Sequence, residues 1–426
     1  MSRRTIEPGG PLVGRVRLPG CKGISHRALL LAAIADGRSV LRNLATGEDV
    51  ARTRSALESL GIECTDADDA LAVVGRGFDM ISEPDDPIEC GNSGTTMRML
   101  TGLLSGRPLD AVLVGDPSLT RRPMDRIVEP LRRLGARITT TDGHAPLSVH
   151  GGVLVGTDVD LPMASGQVKS AVLLAGLQAS GTTTVREPAP SRDHTERLLA
   201  ALGAPVTRLD DRTVQVVTVG ALDRFDHEVP GDASSAAFLV VAAAIVPDSE
   251  LTIEGVNLNP LRIAYLDVLR SMGADITTSV VEERLGEPVG EITVRHAPLR
   301  GVRIASTEGI VDELPILAVA AAVAADGSEI VDAAELRVKE SDRITTTAAM
   351  LRAFGTTVHP TDDGLIIEGG PRHGAVVDSA GDHRIAMCAA VAALAADGPT
   401  TVKGWEAVDV SFPGFDAVLA DLRRTR

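Results

Sequence analysis

Residues 18–37 read LPGCKGISHRALLLAAIADG and combine a turn, a cluster of cations and a long apolar run. Lys22, His26 and Arg27 follow directly after the Pro-Gly turn, and the residues after them are mostly small or aliphatic. A helix that is apolar on nearly every side is buried inside a domain. The stretch therefore predicts a buried helix whose amino end carries cationic side chains.

The same arrangement recurs along the chain. Six units start near residues 19, 90, 162, 229, 311 and 379, at a spacing of roughly 70 residues. In each unit a polar or glycine-containing turn precedes an apolar helix. A strand follows that helix, and in most units an amphipathic helix that ends at a glycine comes next. Internal repetition at a fixed period indicates repeated supersecondary modules. We expect six βαβαββ-type units, three in each of two domains.

The chain of 426 residues is too long for one ordinary core. We predict that residues 18–228 form one domain with the first three units. Residues 1–17, which include an N-terminal strand, join 229–426 in the other. Because the first helix of each unit is apolar nearly all round, we expect an α/β fold with helices at the centre of each domain and sheets outside.

Composition excludes several classes of protein. The net charge is −16 and aromatic residues make up 2% of the chain, so neither a duplex-binding surface nor a base-stacking platform is expected. The four cysteines form no C-x-x-C pair, which argues against a zinc site. The start MSRRTIEPGG lacks the apolar segment of a signal peptide, and no run reaches membrane-spanning length. We therefore expect a cytoplasmic protein with no nucleic-acid or membrane partner.

Cations recur near the predicted amino ends of the buried helices. These ends carry free N–H groups and a partial positive charge, so they favour anions. The cations that the turns and first helical residues add are Lys22, Arg27, Arg98, Lys169 and Arg384. If pseudo-symmetry directs the helix ends of each domain to one place, two cationic faces would form a cleft for strongly anionic small molecules.

Nine motifs together resemble one family. They are LPGCKGISHRALLLAA, GNSGTTMR, RRPMDRIVEPLRRLGA, SGQVKSAVLLAGL, SRDHTERLL, VPGDASSAAF, DELPILAVAAA, AAELRVKESDRI and GDHRIAM. In this order, from residue 18 to about 415, they resemble the 5-enolpyruvylshikimate-3-phosphate synthase family, and SRDHTER and AAELRVKESDR are most similar to its second class.

The resemblance implies a two-domain inside-out α/β barrel with an active site between the domains. It also implies transfer of the carboxyvinyl group of phosphoenolpyruvate to the 5-hydroxyl of shikimate 3-phosphate, with release of phosphate. No metal or organic cofactor is expected, and the partners are these two small-molecule substrates. We expect a monomer whose domains close on the ligands.

The family pattern also assigns residues. Asp312 is the candidate general base, and Glu340 and Lys22 are the candidates for proton delivery. The residues expected to bind phosphoenolpyruvate are Lys22, Asn92, Gly94, Arg122, Gln167, Arg343 and Arg384. The residues expected to bind shikimate 3-phosphate are Lys22, Gly23, Arg27, Ser165, Gly166, Gln167, Arg192, Asp312 and Lys339.

Taken one by one, several of these residues have simpler explanations. Asp312 could be an ordinary acid at a helix start, and Glu340 with Arg343 could be a surface i,i+3 pair. Lys169 and Arg98 are expected to be structural pairs rather than ligands. The order of all the motifs favours the catalytic interpretation.

Two glycines depart from the family pattern. Gly23 replaces a serine whose hydroxyl would contact the shikimate carboxylate, and Gly166 replaces a more usual alanine or serine and would widen the same pocket. Two alternatives therefore stay open. The first is a divergent enolpyruvyl transferase that acts on another anionic alcohol, and the second is a non-catalytic module that binds an anionic metabolite.

Overall fold

The computed structural model describes residues 2–306, 309–370 and 372–424. The chain divides into two compact units. The first unit comprises Gly20–Val229 and Glu283–Glu287. The second unit comprises Met1–Pro19, Pro230–Glu282 and Pro288–Arg426.

The helices alternate with strands throughout both units. The helices are α1 (Lys22–Ala33), α2 (Glu48–Ser59), α3 (Gly94–Ser105), α4 (Pro117–Thr120), α5 (Asp125–Arg133), α6 (Gly166–Gly176), α7 (His194–Ala201), α8 (Ala233–Ile245), α9 (Pro260–Ser271), α10 (Leu314–Val323), α11 (Arg343–Ala353), α12 (His383–Leu394) and α13 (Phe415–Arg424). Short 3-10 turns occupy Phe78–Met80, Ala334–Val338 and Trp405–Val410. None of the helices in the described ranges is both long and apolar enough to cross a membrane.

The strands form six small sheets. They are β1 (Arg3–Ile6), β2 (Val13–Arg17), β3 (Ala35–Arg42), β4 (Glu63–Ala67), β5 (Ala70–Arg76), β6 (Ile88–Glu89), β7 (Asp110–Val114), β8 (Arg137–Thr141), β9 (His144–His150), β10 (Asp158–Asp160), β11 (Thr182–Arg186), β12 (Val206–Arg208), β13 (Thr213–Val217), β14 (Leu222–Asp223), β15 (Asp226–Glu228), β16 (Glu250–Asn257), β17 (Asp275–Arg284), β18 (Glu287–Arg295), β19 (Arg303–Ala305), β20 (Ser328–Val331), β21 (Thr357–Pro360), β22 (Leu365–Gly369), β23 (Val376–Asp378) and β24 (Thr400–Lys403).

Each sheet follows one pattern. A leading strand pairs in parallel with the strand after the buried helix, and that strand pairs antiparallel with a hairpin or its substitute. The sheet β6-β7-β9-β8 shows the full form. In the sixth repeat β1 takes the place of the hairpin and runs antiparallel to β24.

The leading strands of the first and fourth repeats come from distant parts of the chain. β14 and β15, at the end of the third repeat, pair in parallel with β3 of the first. β2, near the start of the chain, pairs in parallel with β16 of the fourth. In the first unit the last strands therefore join the first sheet.

Helices lie at the centre of each unit and sheets lie outside, as the apolar helices predict. Every residue of α3 and of α12 is buried. In the second unit α8, α10 and α12 contact one another. Short strands such as β10 and β23 instead alternate exposed and buried residues, so one face packs on helices while the other meets solvent. The α/β inside-out arrangement is confirmed.

One segment lies elsewhere than expected. Residues 283–287, which the sequence assigns to the domain of the last three repeats, belong to the first unit. The reason is local contact: Glu287 Oε1 lies 2.6 Å from His194 Nδ1, and Arg197 Nη1 donates to the carbonyl of Gly286 at 2.9 Å. The tip of the β17–β18 hairpin thus packs on α7.

Candidate active site

The predicted site residues cluster at the amino ends of helices. Lys22, Gly94 and Gly166 are the first residues of α1, α3 and α6. Arg343 begins α11 and Arg384 is the second residue of α12. Each unit therefore presents helix ends with free N–H groups beside cationic side chains, a combination that attracts anions.

The hydroxyl and carboxylate caps at these ends hold the backbone in place. Ser93 accepts from the N–H of Thr96, and Asp382 accepts from the N–H of Arg384 at 2.9 Å. Such caps satisfy one or two of the free donors and leave the others of the first turn available. The turns predicted from the sequence are therefore helix caps.

In the first unit, Arg27 is held by four neutral acceptors. Its Nε donates to Thr195, its Nη1 donates to the carbonyl of Gly23, and its Nη2 donates to Gly166 and Ser170, at 2.7 to 3.1 Å. Burial lowers its pKa to about 10, so the guanidinium stays charged at neutral pH. Within the described residues no carboxylate lies within ion-pair distance, and one Nη1 hydrogen remains to meet an anionic ligand.

A second cationic group surrounds the start of α3. A Cβ added at Gly94 would lie 3.2 Å from Nη1 of Arg98 and 3.5 Å from Nη1 of Arg122. Asn92 orients the second arginine by accepting from its Nη2 at 2.6 Å, while its own amide donates to Asp116 at 2.8 Å. The absence of a side chain at Gly94 therefore lets two guanidinium groups approach the helix end.

Gln167 connects α6 to α3. Its Oε1 accepts from Arg98 Nη1 at 2.5 Å, and its Nε2 donates to Thr95 at 2.8 Å. Arg98, which the sequence suggests as a structural pair, has this structural contact. Because both ends of the amide are bonded, its orientation is determined by the two helices.

Lys22 pairs with a carboxylate that is distant in the sequence, that of Asp49. Its Nζ lies 2.8 Å from Oδ2 of Asp49, the second residue of α2. The carbonyl of Asp49 in turn accepts from Thr96 at 3.3 Å, which ties this pair to the capping residues of α3. Lys22 is therefore held next to the amino ends of two buried helices.

The expected widening of a pocket at Gly166 is wrong. A Cβ at this position would lie 2.9 Å from Cβ and 3.0 Å from the carbonyl oxygen of Arg192. The neighbouring chain already fills the space, so the glycine permits close approach and adds no volume. Ser165 caps the same helix by accepting from the N–H of Val168.

In the second unit, one buried arginine gathers three carboxylates. Arg343 is 1% exposed and donates to Asp382 from Nε at 2.8 Å and to Glu340 from Nη2 at 2.6 Å. Its Nη1 lies 3.4 Å from Oδ1 of Asp312. Although burial alone would lower its pKa, the charges of these acids raise that pKa above the ordinary arginine value.

The two remaining predicted cations of this unit, Lys339 and Arg384, meet Asp312. Lys339 Nζ lies 3.6 Å from its carboxylate, and Arg384 Nη1 donates to its backbone carbonyl at 2.6 Å. The structure thus brings together all five predicted residues of the second unit. They are Asp312, Lys339, Glu340, Arg343 and Arg384. The other ten lie in the first unit, and they are Lys22, Gly23, Arg27, Asn92, Gly94, Arg122, Ser165, Gly166, Gln167 and Arg192.

The simpler explanations fare differently. Lys169 is a structural pair, since it is buried between Glu187 at 2.6 Å and Glu196 at 2.8 Å. Asp312 lies directly before the cap position of α10, so it is an acid at a helix start, but it also pairs with Lys339 and Arg343. Glu340 and Arg343 do form the i,i+3 pair, in which Arg343 is buried and Glu340 is partly exposed.

Sequence reasoning missed Asp382 and Asp49. Asp382 is fully buried, caps α12 and binds Arg343, and its place directly before an apolar helix was an available signal. Asp49 had no such signal. Within the described residues, no group of three or more His, Cys, Asp or Glu side chains is arranged to hold a metal ion.

The chain matches known proteins over nearly its whole length. The family described as EPSP synthase (3-phosphoshikimate 1-carboxyvinyltransferase) matches residues 6–419. A 3-phosphoshikimate 1-carboxyvinyltransferase of Acidithiobacillus ferrooxidans is 48% identical over 421 residues, which are 98% of this chain and 97% of that protein. One of Roseiflexus castenholzii is 50% identical over 421 residues, with 97% of each covered.

Solved structures agree. EPSP synthase from Acinetobacter baumannii has a TM-score of 0.87 at 40% identity, covering 99% of this chain and 98% of its own. The enolpyruvyl transferase NikO from Streptomyces tendae has a TM-score of 0.79 at 21% identity, covering 98% and 96%, and this likeness shows the fold alone.

Proposed function

The chain belongs to the EPSP synthase family, and from that premise we propose that it transfers the carboxyvinyl group of phosphoenolpyruvate to the 5-hydroxyl of shikimate 3-phosphate. The observation that carries this proposal is the contact of Arg343 with both Asp312 and Glu340. Simple capture of an anion needs cations alone, whereas this arrangement holds two carboxylates beside them. A pair of this kind suits proton transfer.

The phosphoenolpyruvate subsite is assigned to groups from both units. In the first unit the cation is Arg122, which lies beside Gly94. In the second unit the cations are Arg343 and Arg384. Guanidinium forks suit phosphate and carboxylate because they donate two parallel hydrogen bonds. Asn92 and Gln167 support this subsite by orienting Arg122 and Arg98.

The shikimate 3-phosphate subsite is assigned mainly to the first unit. Arg27, with its remaining Nη1 hydrogen, meets the carboxylate, while Ser165, Gln167 and Arg192 meet the ring and phosphate. The amino end of α6, which starts at Gly166, adds N–H groups for the phosphate. Lys339 and Asp312 approach the same substrate from the second unit.

The chemistry then needs two proton movements. Asp312 takes the proton of the attacking 5-hydroxyl, and Glu340 or Lys22 delivers a proton to C3 of phosphoenolpyruvate, which gives a tetrahedral intermediate at C2. Loss of phosphate, with return of one C3 proton to the group that delivered it, restores the vinyl group. Lys22 also stabilises negative charge on the phosphate in the intermediate.

These roles require groups of both units at one pair of ligands, so we propose that the units close when both substrates bind. Closure excludes water from the reacting groups. Small-angle scattering on the full chain measures this directly. A radius of gyration that does not fall on addition of both substrates contradicts closure.

We also propose that the enzyme works as a monomer on free metabolites of the cytoplasm. Light scattering at several protein concentrations measures its mass. A mass near 44.4 kDa throughout is expected, and a constant mass of twice that value would overturn the monomer.

A coupled assay for phosphate release tests the function itself. The wild-type protein should release phosphate from shikimate 3-phosphate and phosphoenolpyruvate. The Asp312→Asn variant should release it far more slowly. Tight binding of both compounds without release would favour a non-catalytic module. Release with a different anionic alcohol alone would favour a divergent transferase.

A further inference from the structure

A fully buried carboxylate, Glu313, has no role in the chemistry above. Its side chain is 0% exposed, and one oxygen, Oε1, accepts from the hydroxyl of Ser234. The same oxygen lies 3.5 Å from Nη2 of Arg262 and 3.5 Å from Nη1 of Arg384. One carboxylate oxygen thus connects the start of α10 with side chains of α8, α9 and α12.

This carboxylate is not explained by helix capping. Glu313 occupies the cap position of α10, but its side chain accepts no hydrogen bond from that helix. Its second oxygen, Oε2, is buried and has no hydrogen-bond partner among the described residues, and neither has the hydroxyl of Tyr265 nearby. Buried ionic groups with incomplete partners contribute little to stability. The burial of Glu313 therefore indicates a role other than stability.

Glu313 contacts the guanidinium of Arg384 at Nη1 only. Arg384 Nη1 donates to the carbonyl of Asp312 at 2.6 Å and faces Glu313. Within the described residues, its Nε and Nη2 make no hydrogen bond. These two nitrogens form the edge of a guanidinium that donates two parallel hydrogen bonds to a phosphate or carboxylate. The anchored nitrogen is therefore the one that this bidentate edge leaves out.

We infer that Glu313 is a positioning residue for the reaction: together with Arg262 and Ser234 it holds Arg384 by Nη1, so that the Nε–Nη2 edge is presented to phosphoenolpyruvate. The inference rests on the proposed function, in which Arg384 binds that substrate. Glu313 also separates two buried guanidinium groups that would otherwise repel each other.

Positioning and simple charge predict opposite effects. Arg262, Arg384 and Glu313 together carry a single positive charge, and Glu313→Gln raises it to two. If Glu313 acted through charge alone, this variant would bind phosphoenolpyruvate more tightly. If it positions Arg384, the KM for phosphoenolpyruvate rises about tenfold, the effect of one charged contact. The KM for shikimate 3-phosphate then stays within about twofold, because Arg384 does not bind that substrate.

The experiment measures initial rates of the full-length enzyme with each substrate varied in turn. The variants are Glu313→Gln, Glu313→Asp, Arg384→Lys and the double variant Glu313→Gln with Arg384→Lys. Glu313→Asp, which keeps the charge on a shorter side chain, should recover part of the loss. In the Arg384→Lys background, Glu313→Gln should change the KM for phosphoenolpyruvate by less than about twofold, since coupled residues are not additive.

Tyr265→Phe is the matched control. It removes only a buried hydroxyl from the same cluster and makes no change at Arg384, so both KM values should equal those of the wild type. Thermal unfolding of every variant separates a general loss of structure from a specific effect. If Glu313→Gln does not fold, Ser234→Ala is the second variant. It removes the hydrogen bond to Glu313 and the acceptor of Arg262 Nη2, keeps all charges, and should raise the KM for phosphoenolpyruvate alone.

Two results would overturn the inference: a KM for phosphoenolpyruvate that falls or stays constant in Glu313→Gln, or an undiminished effect of that change in the Arg384→Lys background. A different result would overturn the proposed function instead. If Arg384→Lys itself leaves the KM for phosphoenolpyruvate unchanged in an active enzyme, Arg384 does not bind that substrate.

Discussion

Arg343 donates from Nη2 to Oε2 of Glu340 at 2.6 Å, and it does so from a position that is 1% exposed. The same guanidinium reaches Asp312 with Nη1 and Asp382 with Nε. A single buried cation therefore holds both carboxylates that we propose for proton transfer. Its own position is set by a third carboxylate, that of the α12 cap.

Glu340→Gln should lower kcat by about 10²- to 10⁴-fold, because glutamine still accepts from Arg343 but carries no transferable proton. The KM values should change by less than about threefold, since the geometry is retained. Steady-state kinetics measure both. Glu329→Gln, at a partly exposed carboxylate paired with Arg303, is the control and should match the wild type. A kcat for Glu340→Gln within tenfold of the wild type would remove Glu340 from proton delivery.

Arg343→Leu should lower the free energy of unfolding by about 3–5 kcal/mol, because it leaves the fully buried carboxylate of Asp382 without its cation. The exposed pair of Arg303 and Glu329 offers a comparison, since their side chains are 68% and 45% exposed. Arg303→Leu should cost less than about 1 kcal/mol. Urea denaturation measures both values. Equal losses of unfolding free energy in the two variants would show that Arg343 contributes no more to stability than an exposed ion pair does.

Gly23→Ser should lower the KM for shikimate 3-phosphate by about tenfold, because a hydroxyl adds a hydrogen bond to a charged group. The position has room, since the nearest atoms to an added Cβ belong to Arg27 and His194 and lie 3.6 Å away. Gly166→Ser is the matched contrast. Its Cβ would lie 3.0 Å from the backbone oxygen of Arg192, so this variant should raise the same KM. An unchanged KM in Gly23→Ser would mean that the carboxylate does not lie near this residue.

Stability should fall as the pH falls from about 6.5 towards 4, because two buried histidines resist protonation. Burial lowers the pKa of His26 to about 3 and that of His227 to about 4. In this range the unfolded chain binds protons that the folded chain does not, so the free energy of unfolding rises with pH. Each histidine adds up to about 1.4 kcal/mol per pH unit.

The variant His227→Gln isolates one of these contributions. Urea denaturation at several pH values should give a shallower slope for the variant than for the wild type between pH 4 and 6.5. Above pH 7 the two slopes should coincide, because histidine is neutral in both the folded and the unfolded chain. Equal slopes below pH 6.5 would show that His227 is not kept neutral by the fold.

Much of the site could be predicted because its residues are neighbours of helix starts. Lys22, Gly94 and Gly166 each begin a buried helix that the apolar pattern of the sequence already indicates, and Arg343 begins α11, the amphipathic helix of the fifth unit. A turn followed by an apolar run is a local feature, and its consequence, a cationic helix end, is local too. The family resemblance supplied the roles, and it also supplied positions such as Gln167, Asp312 and Glu340, which the local pattern does not single out.

The partners of these residues could not be predicted in the same way. Asp49 is 27 positions from Lys22, Asp382 is 39 from Arg343, and Glu313 is 71 from Arg384. Nothing in the sequence around an acidic residue states which distant cation it will meet. For the same reason the sequence does not indicate that the hairpin tip at 283–287 packs with the first unit.

By itself, the sequence determined the repeated units, the buried helices and the cations at their amino ends, because periodicity and apolarity act over a few neighbouring residues. Only the tertiary structure decided which carboxylate holds which cation. It also decided that Arg192 occupies the space beside Gly166, so that no pocket opens there. Those outcomes depend on the packing of helices that lie far apart in the chain. Such packing is set by the whole core and not by any one segment.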